Sequence, residues 1–179
     1  MIVSGFISLD CGLPEHLSYS ALVTGINYIS DAKFIDTGVI KRTSPMIRQE
    51  LTHLRSFPIG VRNCYKISVT SGTKYIIRAF FYYGNYDGLN DPPQFDIHFG
   101  GNVWDIVNFP NASLTTIKEI IYRPSKDYIQ PCLVNTGKGT PFISSIELRT
   151  LDNAYYDDPA VLSLFKRCDL GSITNREYR

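Results

Sequence analysis

Apolar side chains recur along this chain in short runs with a period of two, and turn-forming residues separate the runs. Between Cys64 and Val69, Tyr65, Ile67 and Val69 fall on one side and Lys66 and Ser68 on the other. Phe95, Ile97 and Phe99 alternate with Asp96 and His98 in the same way. A period of two is that of a strand with one face on a core and one in water. Tyr75 to Tyr83 is apolar on both faces apart from Arg78, which predicts a central strand covered on both sides, with Arg78 needing an internal partner. Thr115–Tyr122 and Phe142–Leu148 predict two more strands, the second with Phe142, Ile146 and Leu148 inward and Glu147 and Arg149 outward. Pro131 places its segment at an edge or a bulge. Ser44-Pro45 ahead of Ile47, Leu51 and Leu54 fits a short capped helix, while Leu51, His53, Arg55 and Phe57 alternate as a strand, and both readings stand.

Clusters of Gly, Pro, Asn and Asp separate these segments, and no long helical period or internal repeat interrupts them. The expected fold is an all-β sandwich of jelly-roll type with short helical turns and with function carried by loops at its ends. Residues 1–150 make one such lobe. After Leu148 the pattern loosens through Asp157-Asp158-Pro159, and the run Val161–Phe165 reads as the first strand of something further, so 151–179 is expected to be a linker and the start of a second unit.

Composition agrees with strands. The 179 residues include 12 Tyr, 10 Phe and a single Trp. A chain of this length buries enough surface for one full core without metal or dense disulfides. Eighteen basic against 17 acidic side chains give a net charge of +1, which leaves no electrostatic footprint for nucleic acid. The longest apolar run is far shorter than the roughly 20 residues of a membrane-spanning helix. The cysteines at 11, 64, 132 and 168 are too far apart for a Cys-x-x-Cys redox or zinc motif, and two disulfides among them have three possible connectivities. Asn111-Ala112-Ser113 is a glycosylation sequon in a turn after Pro110.

Catalysis finds little support. His16, His53 and His98 are isolated, and neither a Gly-x-Ser-x-Gly elbow nor a phosphate loop occurs. Gly137-Lys138-Gly139 starts like a dinucleotide loop, but Pro141 and Phe142 end the likeness. Asp87, Asp91 and Asp96 could supply the carboxylates of a glycosidase pair, but short acidic turns of this kind usually cap their own backbone. No cofactor and no metal site is expected. The most informative segment is Gly84–Pro93, which packs Tyr86, Asp87, Asn85 and Asn90 between residues that bend the chain. A sugar site needs an aromatic face for the C–H side of the ring and carboxylate or amide groups for its hydroxyls. Tyr82, Tyr83, Asn85, Tyr86 and Asp87 would supply both. The alternative is a turn that satisfies its own backbone while the three tyrosines cover the end of the sandwich. Trp104 and Asp36 are expected to be internal, the first in packing and the second as a polar partner.

Several segments taken together point to a family: Gly5-Phe6-Ile7-Ser8-Leu9-Asp10-Cys11-Gly12, Ser30-Asp31, Phe34-Ile35-Asp36-Thr37-Gly38, Leu54-Arg55-Ser56-Phe57-Pro58, Arg62-Asn63-Cys64-Tyr65, Tyr83-Gly84-Asn85-Tyr86-Asp87-Gly88 and Cys132-Leu133-Val134-Asn135-Thr136-Gly137. In this set the chain resembles the malectin-like ectodomain of plant leucine-rich-repeat receptor kinases. The resemblance implies an extracellular, glycosylated module of two tandem lobes, of which this chain is the first plus the entry to the second. Leucine-rich repeats, one membrane span and a cytoplasmic kinase would lie outside it. Cys168 departs from that pattern, where an apolar residue is usual. The implied role is non-catalytic recognition of cell-wall or glycan carbohydrate at the outer face of the plasma membrane, or capture of a secreted peptide or a co-receptor. A more distant resemblance, to the animal endoplasmic-reticulum malectin, aligns Tyr83 and Asp157 with sugar-pocket positions, whereas Ala32 and Gly84 stand where that protein has aromatic rings.

Overall fold

The computed structural model describes residues 6–44, 47–152 and 162–163. Its strands, in chain order, are β1 (Phe6–Asp10), β2 (Ser18–Ser20), β3 (Asn27–Ser30), β4 (Val39–Arg42), β5 (His53–Ser56), β6 (Arg62–Cys64), β7 (Ile67–Ser68), β8 (Lys74–Tyr82), β9 (Gln94–Phe99), β10 (Asn102–Val107), β11 (Thr115–Tyr122), β12 (Tyr128–Ile129), β13 (Pro131–Lys138), β14 (Phe142–Ile143), β15 (Ser145–Leu151) and β16 (Leu162–Ser163). A seven-stranded sheet runs in the order β16-β11-β8-β15-β1-β3-β2, and a four-stranded sheet in the order β10-β9-β13-β6. Two smaller sheets have the orders β14-β5-β4 and β12-β7. This is an all-β jelly-roll sandwich. Apart from the parallel β1–β3 pair, the ladders are antiparallel.

The period of two places the core. Along β8 and just past it, Tyr75, Ile77, Ala79, Phe81 and Tyr83 point into the main core, where they meet Phe95, Ile97 and Phe99 of β9. The intervening Phe80 and Tyr82 point the other way and pack on Leu51 in a second, smaller cluster. Phe142 is fully buried, and its ring meets those of Phe81, Tyr83, Tyr86, Phe95 and Phe109 at 5.2 to 6.4 Å between centroids. Aromatic pairs at such separations add stabilisation beyond the area they bury.

β9 alternates buried and half-buried positions as its sequence predicts, and β8 is covered on both faces. Arg78 finds its partner in Glu119, directly opposite in β11. The ambiguous segment after Ser44 contributes both elements: a single 3-10 turn at Gln49–Leu51, then strand β5. The residues 64–69 keep their alternation of burial but split between β6 and β7, which join different sheets. Pro131 opens β13, a strand paired on both sides, where its missing N–H falls at the start of the ladder.

Two inward and outward assignments change. Glu147 does not face water: it is 1% exposed, because Tyr28 lies over it and donates its hydroxyl proton to the carboxylate. Asp36 is exposed, and the internal aspartates are instead Asp10 and Asp31. The Asp31 carboxylate accepts from Arg55 Nε at 2.6 Å and Nη2 at 2.7 Å, from the Tyr65 hydroxyl at 2.8 Å, and from the Gly12 N–H at 3.0 Å. Four donors on one buried carboxylate offset the cost of removing its charge from water. The close approach that permits this needs glycine at position 12, where φ is +101° and a Cβ would lie 2.6 Å from the Leu54 carbonyl oxygen.

Among the described residues one disulfide, Cys64–Cys132, joins β6 to β13, and Cys11 is a buried free thiol. Cys168 lies outside the described residues. Leu162–Ser163, from within the expected linker, pairs with Ile120–Ile121 as the outermost strand of the seven-stranded sheet. Among the described residues no helix is long and apolar enough to cross a membrane.

Candidate functional site

The segment Gly84–Pro93 connects β8 to β9, so it emerges where the most buried strand of one sheet crosses to the other. Its backbone turns four times into the left-handed region, at Gly84 (φ +47°), Asn85 (φ +49°), Gly88 (φ +77°) and Asn90 (φ +55°), and asparagine tolerates that region better than other non-glycine residues. Side chains then fix the loop from within. The Asn85 Oδ1 accepts the Asn90 N–H at 2.9 Å, and the Asp87 Oδ1 accepts the Leu89 N–H at 3.1 Å. The Tyr83 hydroxyl donates to the same Asp87 oxygen and accepts the Asp91 N–H at 3.3 Å. Burial pushes the Tyr83 phenol up to about 12, with the Asp87 hydrogen bond acting in the same direction. The Tyr86 hydroxyl and Ser56 Oγ lie 3.2 Å apart, which ties the loop tip to β5.

This geometry separates the three tyrosines. Tyr82 and Tyr83 leave β8 on opposite faces and are 3% and 0% exposed, so neither presents a ring for stacking. The platform of three rings expected from the sequence is therefore corrected: only Tyr86, half-buried with its ring edge-on to Tyr83 at 5.6 Å, keeps a surface toward solvent. Asn85 and Asp87 are exposed beside it, as is Leu89 at 71%. Gly84 has no room for an aromatic, since a Cβ there would lie 2.7 Å from the Tyr82 ring and 2.9 Å from Thr43 Cβ. Asp157 lies outside the described residues. Asn111 is exposed in its turn, where its Oδ1 accepts the Ser113 N–H at 2.8 Å.

The other candidates disperse. His16 is exposed; His53 Nδ1 lies 3.7 Å from Asp10; His98 Nδ1 lies 3.2 Å from Arg62. Among the described residues no group of three or more His, Cys, Asp or Glu is placed to hold a metal ion. Trp104 is half-buried against Phe99 at 4.9 Å. The Asp31–Arg55–Tyr65 cluster was missed by sequence reasoning. Arg55 lies on β5 and Asp31 just past β3, and no periodicity distinguishes these two charges from surface ones.

The family model of the malectin-like domain matches residues 9–179. The chain belongs to the malectin-like domain family. It is 49% identical, over 98% of its length, to a probable leucine-rich-repeat receptor-like serine/threonine-protein kinase of Arabidopsis thaliana, of which it covers 21%. It is 46% identical over 98% of its length to the Arabidopsis leucine-rich-repeat receptor-like kinase IOS1, of which it covers 20%. The chain thus spans about a fifth of the length of these curated relatives. Its fold matches the crystal structure of the ANX2 ectodomain from Arabidopsis thaliana with a TM-score of 0.71 at 20% identity, over 83% of this chain and 42% of that one. It also matches, with a TM-score of 0.65 at 20% identity, a structure of the plant peptide RALF23 in complex with FER and LLG2, over 84% of this chain and 40% of the matched one.

Proposed function

We propose that this chain is a non-catalytic, extracellular ligand-sensing lobe of a leucine-rich-repeat receptor-like kinase, and that it meets a peptide or a co-receptor ectodomain through the rim of its 84–93 loop. The observation that carries the role is the near-whole-chain likeness to receptor kinases of which it covers a fifth. The choice of ligand class rests on the loop. A sugar held by stacking needs an open aromatic face, and Tyr82 and Tyr83 are buried while Tyr86 is half-buried against Tyr83. A protein partner suits a pre-ordered rim that carries an exposed Leu89 among Asn85, Tyr86 and Asp87, because little entropy is lost on docking to it. FER, which shares the fold at 20% identity, was solved with a peptide, which supports the fold as a peptide-binding scaffold.

A second reading, carbohydrate recognition at the same rim, is favoured by the exposed Asp87 carboxylate beside the Tyr86 ring. Calorimetric titration of the chain with the RALF23 peptide and with the LLG2 ectodomain, alongside an array of cell-wall oligosaccharides, separates the two. The first reading expects heat with a peptide or co-receptor probe that Asn85→Ala and Asp87→Ala each weaken by about tenfold or more, the loss of one hydrogen bond. Array signal that Asp87→Ala abolishes, with no heat from either protein probe, overturns it in favour of the sugar.

A further inference from the structure

Among the described residues the sheets end in edges of unequal protection. β2 and β6 have three residues each, and β10 carries a bulge between Val103 and Asp105, devices that keep an edge from pairing further. β4 is longer than the first two and has no bulge. Its four residues are all exposed, and it forms the outer strand of β14-β5-β4. The register fixes which of its groups point outward. The Thr43 N–H donates to the Thr52 carbonyl oxygen at 2.9 Å, so Thr43 and Thr52 form a hydrogen-bonded pair. Such pairs alternate along an antiparallel ladder, which leaves Ile40 and Arg42 with N–H and C=O directed away from β5. Among the described residues no partner meets them.

A pocket of about 500 Å³ opens over the same ladder, within the roughly 300–1,000 Å³ of ligand sites. Arg42 and His53, opposite each other in register, both line it, so it lies on the face that their side chains share. The turn between β2 and β3 adds Leu22 and Val23, which are 97% and 84% exposed, and Ile47 adds a third apolar side chain. Glu50, the acidic residue of the lining, is already paired with Arg48. Lys41 and Arg42 are exposed, and among the described residues neither is in an ion pair. Two β4 edges side by side would set these charges against each other, which disfavours a second copy as the occupant and favours an acidic chain. The end of β4 also stands beside the root of the 84–93 loop, where a Cβ at Gly84 would lie 2.9 Å from Thr43 Cβ.

We propose that the outer edge of β4 and this pocket form a strand-addition site for an extended peptide in which acidic and apolar residues alternate. Its main chain pairs with Ile40 and Arg42. Residues opposite those two share the face of Arg42 and His53, so their apolar side chains enter the pocket beside Val23 and Ile47. The carboxylates between them lie opposite Lys41, and Arg42 adds to the attraction. The class of partner, a peptide, rests on the function proposed above; the surface is a different one.

The probe is the synthetic peptide acetyl-Glu-Leu-Glu-Val-Glu-Leu-Glu-amide, and the readout is amide hydrogen exchange in the isotopically labelled full chain. Without peptide, Ile40 and Arg42 are expected to exchange fast and Lys41 and Thr43 slowly. Saturating peptide is expected to slow Ile40 and Arg42 by about tenfold or more, and the version with Lys in place of Glu to bind at least about tenfold more weakly. Ile40→Pro removes an outward N–H while leaving those of Lys41 and Thr43 on β5, and is expected to weaken binding by about tenfold or more. The double variant Lys41→Glu, Arg42→Glu changes only exposed side chains and is expected to weaken it as much. The proposal is overturned if Ile40 and Arg42 gain no protection, if the lysine peptide binds equally well, or if binding survives in both variants. Protection of the same amides that grows with chain concentration in the absence of peptide also overturns it, by assigning the edge to a second copy. The loop reading fails on a different observation, unmoved amides at Asn85 to Asn90 with the RALF23 peptide, so the two failures are told apart.

Discussion

Glu147 lies on the outer face of the central sheet, paired in register with Arg78 of β8 and covered by Tyr28. Burial pushes its carboxyl above the usual carboxylate range, against the lowering pull of the Tyr28 hydrogen bond and of the Arg149 and Arg78 guanidinium groups. The same burial lowers Arg149, and the Tyr28 phenol is driven far upward by burial and by Glu147. The raised Glu147 value has a definite sign in stability. Between the ordinary value of 4.5 and the higher folded value, the folded state holds a proton that the unfolded chain has released, so stability falls as pH rises through that window. Above it the full penalty of a buried charge remains. Glu147→Gln keeps an acceptor for Tyr28 and has no such penalty. The melting temperature of the wild type minus that of Glu147→Gln is therefore expected to fall as pH is raised from about 4.5, and calorimetric melts across pH 4 to 8 check it. A difference that is flat or rises with pH would contradict the assignment. From the sequence Glu147 reads as outward because it alternates with Ile146 and Leu148. What covers that outward face is Tyr28, 119 residues away, and no local period reports it.

At the scale of elements, strand β6 depends on a covalent tie. It pairs with β13 at three positions only, Cys64, Asn63 and Arg62 against Cys132, Leu133 and Val134, and it forms the outer edge of the four-stranded sheet. The Cys64–Cys132 bond closes a separation of 68 residues. Replacing both cysteines by serine is expected to lower unfolding stability by roughly 2–5 kcal/mol. It should also raise the hydrogen exchange of the β6 amides ahead of the rest of the sheet, as denaturant unfolding and exchange measurements would show. Strands with a clean period of two or a continuous apolar run, β8, β9 and β11, were legible in the sequence because each satisfies its pattern within its own length. The pairing of four cysteines was not, since spacing allows three connectivities and only the fold brings two of them opposite each other. The loop 84–93 was legible as a loop, through Gly84, Gly88 and Pro92-Pro93. That its tyrosines diverge was written in the sequence too, because Tyr82 and Tyr83 are neighbours on a strand and neighbours on a strand face opposite ways.

At the scale of the molecule, a malectin-like sandwich presents two unlike ends. One carries a loop braced by its own side chains, with buried tyrosines and an apolar residue at its rim. The other carries the β9–β10 turn at Gly100–Gly101 and the Tyr122 ring stacked on Phe99 at 5.1 Å. The family explains the sandwich, and the braced, partly apolar rim at one end is what these residues add. The most direct test is a backbone amide chemical-shift map of the isotopically labelled chain titrated with the RALF23 peptide. The account predicts shifts at Asn85 to Asn90, with Gly100 and Gly101 unmoved. Shifts confined to the Gly100–Gly101 turn, with Asn85 to Asn90 unmoved, would contradict it.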